Sequence, residues 1–174
     1  GKASGVSDED LQKNELTNRK AFDIVNNSTN LEQLKTDLTN FIKQTLNDNQ
    51  NAEKPAGMSD DDFVKLQVNQ IANPWMQYFI KYNPATALEK VKCPVLAING
   101  EKDLQVPPKE NLEAIKKALT KGGNKKVTTK ELPNLNHLFQ ECKTGSPDEY
   151  ATIEQTFSPT ALTEILKWIQ TQTK

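Results

Sequence analysis

The sequence predicts a mixed α/β chain, with a helical first half followed by a strand–helix–strand–loop–helix segment. Three observations predict it. Residues 7–82 repeat apolar side chains at three- and four-residue steps, the spacing that collects them on one face of a helix. Cys93-Pro94-Val95-Leu96-Ala97-Ile98 is a continuous apolar run ended by Asn99-Gly100, which reads as a strand buried on both faces of a parallel sheet. Val127 to Leu132 reads as a second strand by alternation.

In the helical half, Ser7-Asp8-Glu9-Asp10 resembles a capping box. Leu11, Phe22 and Val25 then form a weak apolar stripe, broken at Asn26-Asn27-Ser28. A stronger stripe follows in Leu31, Leu34, Leu38, Phe41, Ile42 and Leu46. Asn47 through Gly57 is a polar loop. Ser59-Asp60-Asp61-Asp62 opens another helix, with three acids favoured by its N-terminal dipole. Phe63, Leu66 and Gln70/Ile71 are expected on its inner face, and Asn73-Pro74 starts a short aromatic helix from Trp75 to Tyr82.

The grammar changes at residue 83. Asn83-Pro84 places proline at a helix start, where its missing N–H costs nothing, and a short helix runs from Ala85 to Lys90. After the first strand, Pro107-Pro108 starts a helix with Leu112, Ile115 and Leu119 facing inward, and Gly122-Gly123-Asn124 ends it. Pro133-Asn134-Leu135-Asn136-His137 is the loop after the second strand. Ser158-Pro159 caps a last helix whose expected buried stripe is Leu162, Ile165, Leu166 and Ile169, with Trp168 alongside. Strand, helix and parallel strand make a right-handed βαβ unit.

Composition narrows the function classes. Lys and Arg number 22 against 23 Asp and Glu, a net charge of −1, which argues against a nucleic-acid partner. No run approaches the ~20 apolar residues of a membrane span. Only 35% of the 174 residues are hydrophobic, a thin supply for a core. The start, Gly1-Lys2-Ala3-Ser4-Gly5, has no apolar signal region, and a leading Gly is the mark expected of tag removal. Compartment, cytoplasmic or periplasmic, is therefore not readable.

Two ionisable groups occupy equivalent places. Asp103 lies just past the first strand and His137 just past the second, and ligands of open α/β sheets bind at the carboxyl ends of strands. Neighbouring parallel strands lie ~4.8 Å apart, so the two loops can bring carboxylate and imidazole together. An acid beside an imidazole fixes its tautomer, which is the base-and-orienter half of a nucleophilic triad.

The stretches carrying these residues resemble a known superfamily. Val91 through Pro108 resembles the seventh strand and following loop of α/β-hydrolases, and Glu131-Leu132-Pro133-Asn134-Leu135-Asn136-His137-Leu138-Phe139 the eighth strand and histidine loop. The chain is most similar to bacterial lid-bearing esterases of the EstD type, within the serine aminopeptidase-like group. The resemblance implies a partial α/β-hydrolase fold: residues 1–82 as helical lid, and residues 83–174 as the C-terminal segment of the core with two parallel strands. It also implies Asp103 as triad acid and His137 as triad base, and no cofactor.

The superfamily's nucleophile sits in a G-x-S-x-G elbow, and this sequence has none. Gly5-Val6-Ser7-Asp8-Glu9 and Gly57-Met58-Ser59-Asp60-Asp61 supply Gly-x-Ser without the second glycine, and both serines read as helix caps. The expectation is a C-terminal fragment of a serine hydrolase, inactive alone, whose parent acts on small acyl esters. Aminopeptidase or amidase action is the nearest competitor. The missing N-terminal half of the fold is then its main partner.

Plainer readings stand beside these. Trp75, Met76, Tyr78, Phe79 and Tyr82 either line an acyl pocket, with Trp75 and Phe79 as the substrate-binding candidates, or form core, which helical spacing favours. Glu101 and Lys102 read as solvated turn residues. Cys93 reads as a buried thiol; a Cys93–Cys142 disulfide and a Cys142–His137 nucleophile pair are the alternatives. One histidine and two distant cysteines make no zinc site, and Asp60-Asp61-Asp62 lacks calcium-loop spacing. A reading of another class is a non-catalytic binding module, in which an exposed strand edge pairs with a second copy.

Overall fold

The computed structural model describes residues 7–48 and 54–173. Its contacts divide the chain into two compact units, Gly1–Tyr82 and Asn83–Lys174. Gly5 and Val6 of the first Gly-x-Ser motif, and residues 49–53 of the expected polar loop, lie outside the described residues.

The first unit holds four helices among its described residues: α1 (Asp8–Asn27), α2 (Leu31–Asp48), α3 (Asp60–Ile71) and α4 (Pro74–Lys81). Their starts are chemically determined. Ser7 Oγ accepts from the Asp10 N–H at 3.1 Å and Ser59 Oγ from the Asp62 N–H at 3.2 Å. Asn73 Oδ1 accepts from Met76 N–H at 2.9 Å, just ahead of Pro74. Asn30, which the sequence reading passed over, does the same for Gln33 at 2.9 Å. Each bond satisfies one of the donors that a helix start leaves without an intrahelical partner.

Val25, Leu34, Leu38, Ile42, Val64, Val68 and Ala72 form the core of this unit. The stripe on α2 is the expected one, although Leu31 at its outer end is exposed. On α3 the expected face is wrong by one residue: Val64 and Val68 are buried, while Leu66 is exposed and Phe63 half-buried. Phe22 likewise faces outward on α1, and Ala21 and Val25 face in. The aromatics of α4 are not core. Trp75 is 66% and Phe79 61% exposed, with Tyr78 and Tyr82 exposed beside them.

The second unit contains α5 (Ala85–Leu88), β1 (Val95–Gly100), α6 (Pro108–Lys121), β2 (Val127–Leu132), a 3-10 helix (Pro147–Thr152) and α7 (Pro159–Gln172). β1 and β2 pair in parallel, from Val95 opposite Val127 to Gly100 opposite Leu132. Both strands therefore end level, and the loops after them leave from one place. Before the strands, Asn124 joins their entries: Nδ2 donates to the Val91 and Cys93 carbonyls, and Oδ1 accepts from Lys126 N–H.

In this unit Leu132, Leu135 and Ala161 form a cluster with Ile98, Phe139 and Phe157 packed around them, and Leu112, Ala118 and Leu119 are buried on α6. β1 is not buried on both faces; Val95 to Ile98 are half-buried, and only Asn99 and Gly100 are buried. Cys93 is exposed rather than buried. On α7 the expected stripe is largely uncovered, with Leu162 and Leu166 each 55% exposed and Ile169 exposed as well. The physical reason is the width of the sheet. Two described strands offer one neighbour each, and α7 reaches β2 through other residues: buried Ala161, the Trp168 Nε1–H bond to Thr128 Oγ1 at 3.2 Å, and the Lys130–Glu164 ion pair. Among the described residues no helix is long and apolar enough to cross a membrane.

Candidate functional site

The site forms where β1 and β2 end. Gly100 closes β1, and a Cβ at this position would overlap the carbonyl oxygens of Leu135 and Asn136. Glycine thus lets the histidine loop cross the strand end at backbone contact. Glu101 N–H then donates to the Leu132 carbonyl at 2.8 Å and Lys102 N–H to the Leu135 carbonyl at 2.9 Å. These bonds lock the acid loop to the histidine loop.

Glu101 and Lys102 are therefore more than solvated turn residues. The Glu101 carboxylate accepts from Asn134 N–H at 2.9 Å. The Lys102 ammonium donates to the carbonyls of Cys142 at 3.3 Å and Lys143 at 3.0 Å, holding the following segment down.

Asp103 sits at the centre of this arrangement, its side chain 3% exposed. Oδ1 accepts from the N–H groups of Gln105 at 3.0 Å and Val106 at 2.8 Å. Oδ2 contacts His137 Nδ1 at 3.0 Å and accepts from Asn99 Nδ2 at 3.1 Å. The His137 side chain is 37% exposed. A carboxylate only accepts, so the Nδ1 proton lies between the two groups and a neutral ring carries its lone pair at Nε2. Among the described residues Nε2 has no hydrogen-bond partner. The geometry leaves a partly exposed imidazole whose Nε2 is able to take a proton, behind which a buried carboxylate fixes the tautomer.

The histidine loop is held from within. Asn136, fully buried, accepts at Oδ1 from the N–H groups of Leu138 and Gln140, each at 2.9 Å, and donates from Nδ2 to Gln140 Oε1 at 3.0 Å. Phe139 adopts φ of 56°, a left-handed conformation unusual for an aromatic residue. Its carbonyl accepts from Ser158 N–H at 2.8 Å, and its ring packs on Phe157 with centroids 5.3 Å apart. Such a conformation persists where surroundings over-determine it. Asn99 and Asn136 were not singled out as functional from the sequence. An asparagine ending an apolar strand run, and one directly before the histidine, were the available signals.

The other candidates fall elsewhere. Cys93 and Cys142 are both free. The Cys142 thiol donates to the Asn134 carbonyl at 3.5 Å, and desolvation together with nearby Glu149 pushes its pKa up, the opposite of thiolate activation. Each described serine has a structural role: Ser7, Ser59, Ser146 and Ser158 accept first-turn N–H groups, and Ser28 donates to the Ile24 carbonyl. None of them bonds His137. Trp75 and Phe79 stack nearly parallel on α4, centroids 5.3 Å apart. Among the described residues no group of three or more His, Cys, Asp or Glu could hold a metal ion.

The level ends of the parallel strand pair carry a buried Asp and a His in contact, the arrangement expected from the resemblance to α/β-hydrolases. The family comparison agrees: the profile of the prolyl oligopeptidase family matches residues 56–162, more than half of the chain, and the chain belongs to that family. It is a serine hydrolase family of peptidase-like character with an α/β-hydrolase-type fold. No curated protein and no solved structure matches the chain.

Proposed function

We propose that this chain supplies the acid and base of a serine hydrolase whose nucleophile lies in polypeptide outside these 174 residues. The observation that carries this reading is the 3.0 Å contact between His137 Nδ1 and the buried Asp103 carboxylate, with Nε2 left open. In the proposed reaction the serine Oγ attacks an acyl carbonyl while His137 Nε2 takes its proton. The protonated ring then gives that proton to the leaving group, and Asp103 keeps the ring oriented throughout. Hydrolysis of the acyl-enzyme repeats the sequence with water as nucleophile.

Small acyl esters are the proposed substrates of the parent enzyme, with the exposed rings of Trp75 and Phe79 touching the apolar acyl portion and residues 1–82 acting as its lid. Peptide or amide bonds are the second reading, and the family match favours it. The uncovered face of Leu162, Leu166 and Ile169 and the second edge of β1 support a further partner surface, which we assign to the remaining part of the hydrolase sheet. Pairing of two copies through the same edge is the competing occupant. A sharp monomer peak in light scattering at high concentration counts against that pairing.

The 174-residue chain alone is expected to show no turnover of short p-nitrophenyl esters above background. Turnover in this chain that disappears on His137→Ala overturns the proposal of an external nucleophile. Comparing esters with aminoacyl amides on the full-length protein separates the two substrate readings.

A further inference from the structure

Behind Asp103 lies a chain of side-chain amides that the proposed acid–base chemistry does not itself require. Asn99, 5% exposed and one residue from the end of β1, donates from Nδ2 to Asp103 Oδ2 at 3.1 Å. Its Oδ1 accepts from Asn111 Nδ2, on the first turn of α6, at 2.7 Å. The orientation of both amides follows from the anion at one end. A carboxylate has no proton to donate, so Asn99 must present its NH2 there and its carbonyl on the opposite side. Asn111 meets that carbonyl with its own NH2, which blocks rotation of the Asn99 amide.

Resting on the assignment of Asp103 and His137 as acid and base, we propose that Asn99 and Asn111 form a positioning relay that fixes the Asp103 carboxylate plane and thereby the His137 ring. Two backbone N–H groups hold Oδ1; both oxygens turn together about the Cβ–Cγ bond, so a donor on Oδ2 resists the same rotation from the opposite side of the carboxylate. The Asn99 donor is the second point of attachment. It steers Oδ2 into line with His137 Nδ1 while α6, through Asn111, sets the direction of the donor. The relay thus connects a helix start to the imidazole through three hydrogen bonds: Asn111 to Asn99, Asn99 to Asp103, and Asp103 to His137.

Because the chain has a single histidine, its imidazole gives one spin system in 15N-labelled protein. The readout is the tautomer and the rate at which the Nδ1 proton exchanges with water. The variants are Asn99→Leu, which removes the donor, and Asn111→Asp, which keeps the shape of the side chain but now accepts. Asn111→Asp turns the Asn99 amide round, so that a carbonyl faces the Asp103 carboxylate. Each variant is expected to speed Nδ1–H exchange about tenfold, the scale of losing one hydrogen bond to a charged group, with folding checked by the dispersion of the amide spectrum. Asp103→Asn is the control that disturbs the His137 partner directly.

Exchange within twofold of the unsubstituted chain in folded Asn111→Asp, with Asp103→Asn still perturbed, overturns the relay and leaves the acid–base pair standing. An unsubstituted chain whose neutral ring is protonated at Nε2 overturns both.

Discussion

At the scale of single residues, Gly100 decides whether Asp103 and His137 can meet. The histidine loop crosses the end of β1 with the carbonyls of Leu135 and Asn136 where a side chain would stand. Gly100→Ala must push that loop away, and overpacking of this kind costs about 1–3 kcal/mol. The expected outcome is a lowered unfolding midpoint together with loss of the His137–Asp103 hydrogen bond in the imidazole spectrum. An unchanged midpoint would show that the loop yields without strain. Asp103 and His137 themselves were legible because each follows a recognisable strand. Asn99 was read only as the residue ending an apolar run. Its amide is informative solely through Asp103 and Asn111, four and twelve positions away and brought close by the turn after β1 and the start of α6. Glu101 and Lys102 were missed for a related reason: their partners, Asn134 and the carbonyls of Cys142 and Lys143, are remote in sequence.

At the scale of elements, local chemistry was legible and the choice of buried face was not. Caps at Ser7, Ser59 and Asn73 and the ends of β2 follow from short stretches whose signals need no partner. On α3, Phe63, Leu66 and Ile71 make as good a helical stripe as Val64, Val68 and Ala72, and only packing against the other helices of this unit selects the second. The 3-10 helix at Pro147–Thr152 was overlooked, although Ser146-Pro147 carries the same opening as Ser158-Pro159. Its acid gives a pH prediction. Desolvation raises the Glu149 pKa, but donors at Thr144, Gly145 and Lys143 outweigh it and hold the carboxyl below its usual value. A folded pKa below the unfolded one means that this tie is fully present above the unfolded pKa and is lost as pH falls through the folded one. Amide resonances of Thr144 and Gly145 are therefore expected to stay put down to the ordinary glutamate range and to move below it. Glu149→Gln should abolish that movement, and a shift already complete near neutral pH would contradict the assignment.

For the whole molecule, the thin hydrophobic supply seen in the sequence now has a location. The helical unit closes a core of its own around Leu34, Leu38 and Val25. In the α/β unit Leu132, Leu135 and Ala161 anchor one cluster and Leu112, Ala118 and Leu119 are buried on α6, while apolar positions on α7 stay exposed. An acid and a base are assembled there, while the serines described in the chain are occupied as caps or helix bonds. Those observations support the proposal made above, in which a family member carries two-thirds of a triad and takes its nucleophile from elsewhere in the parent protein. The most direct measurement is active-site labelling with a fluorophosphonate, read by peptide mass spectrometry on the full-length protein and on this chain alone. The account predicts a tagged serine outside these 174 residues, labelling that falls by orders of magnitude on His137→Ala, and an untagged isolated chain. A tag on any serine of these 174 residues, or labelling indifferent to His137→Ala, would contradict it.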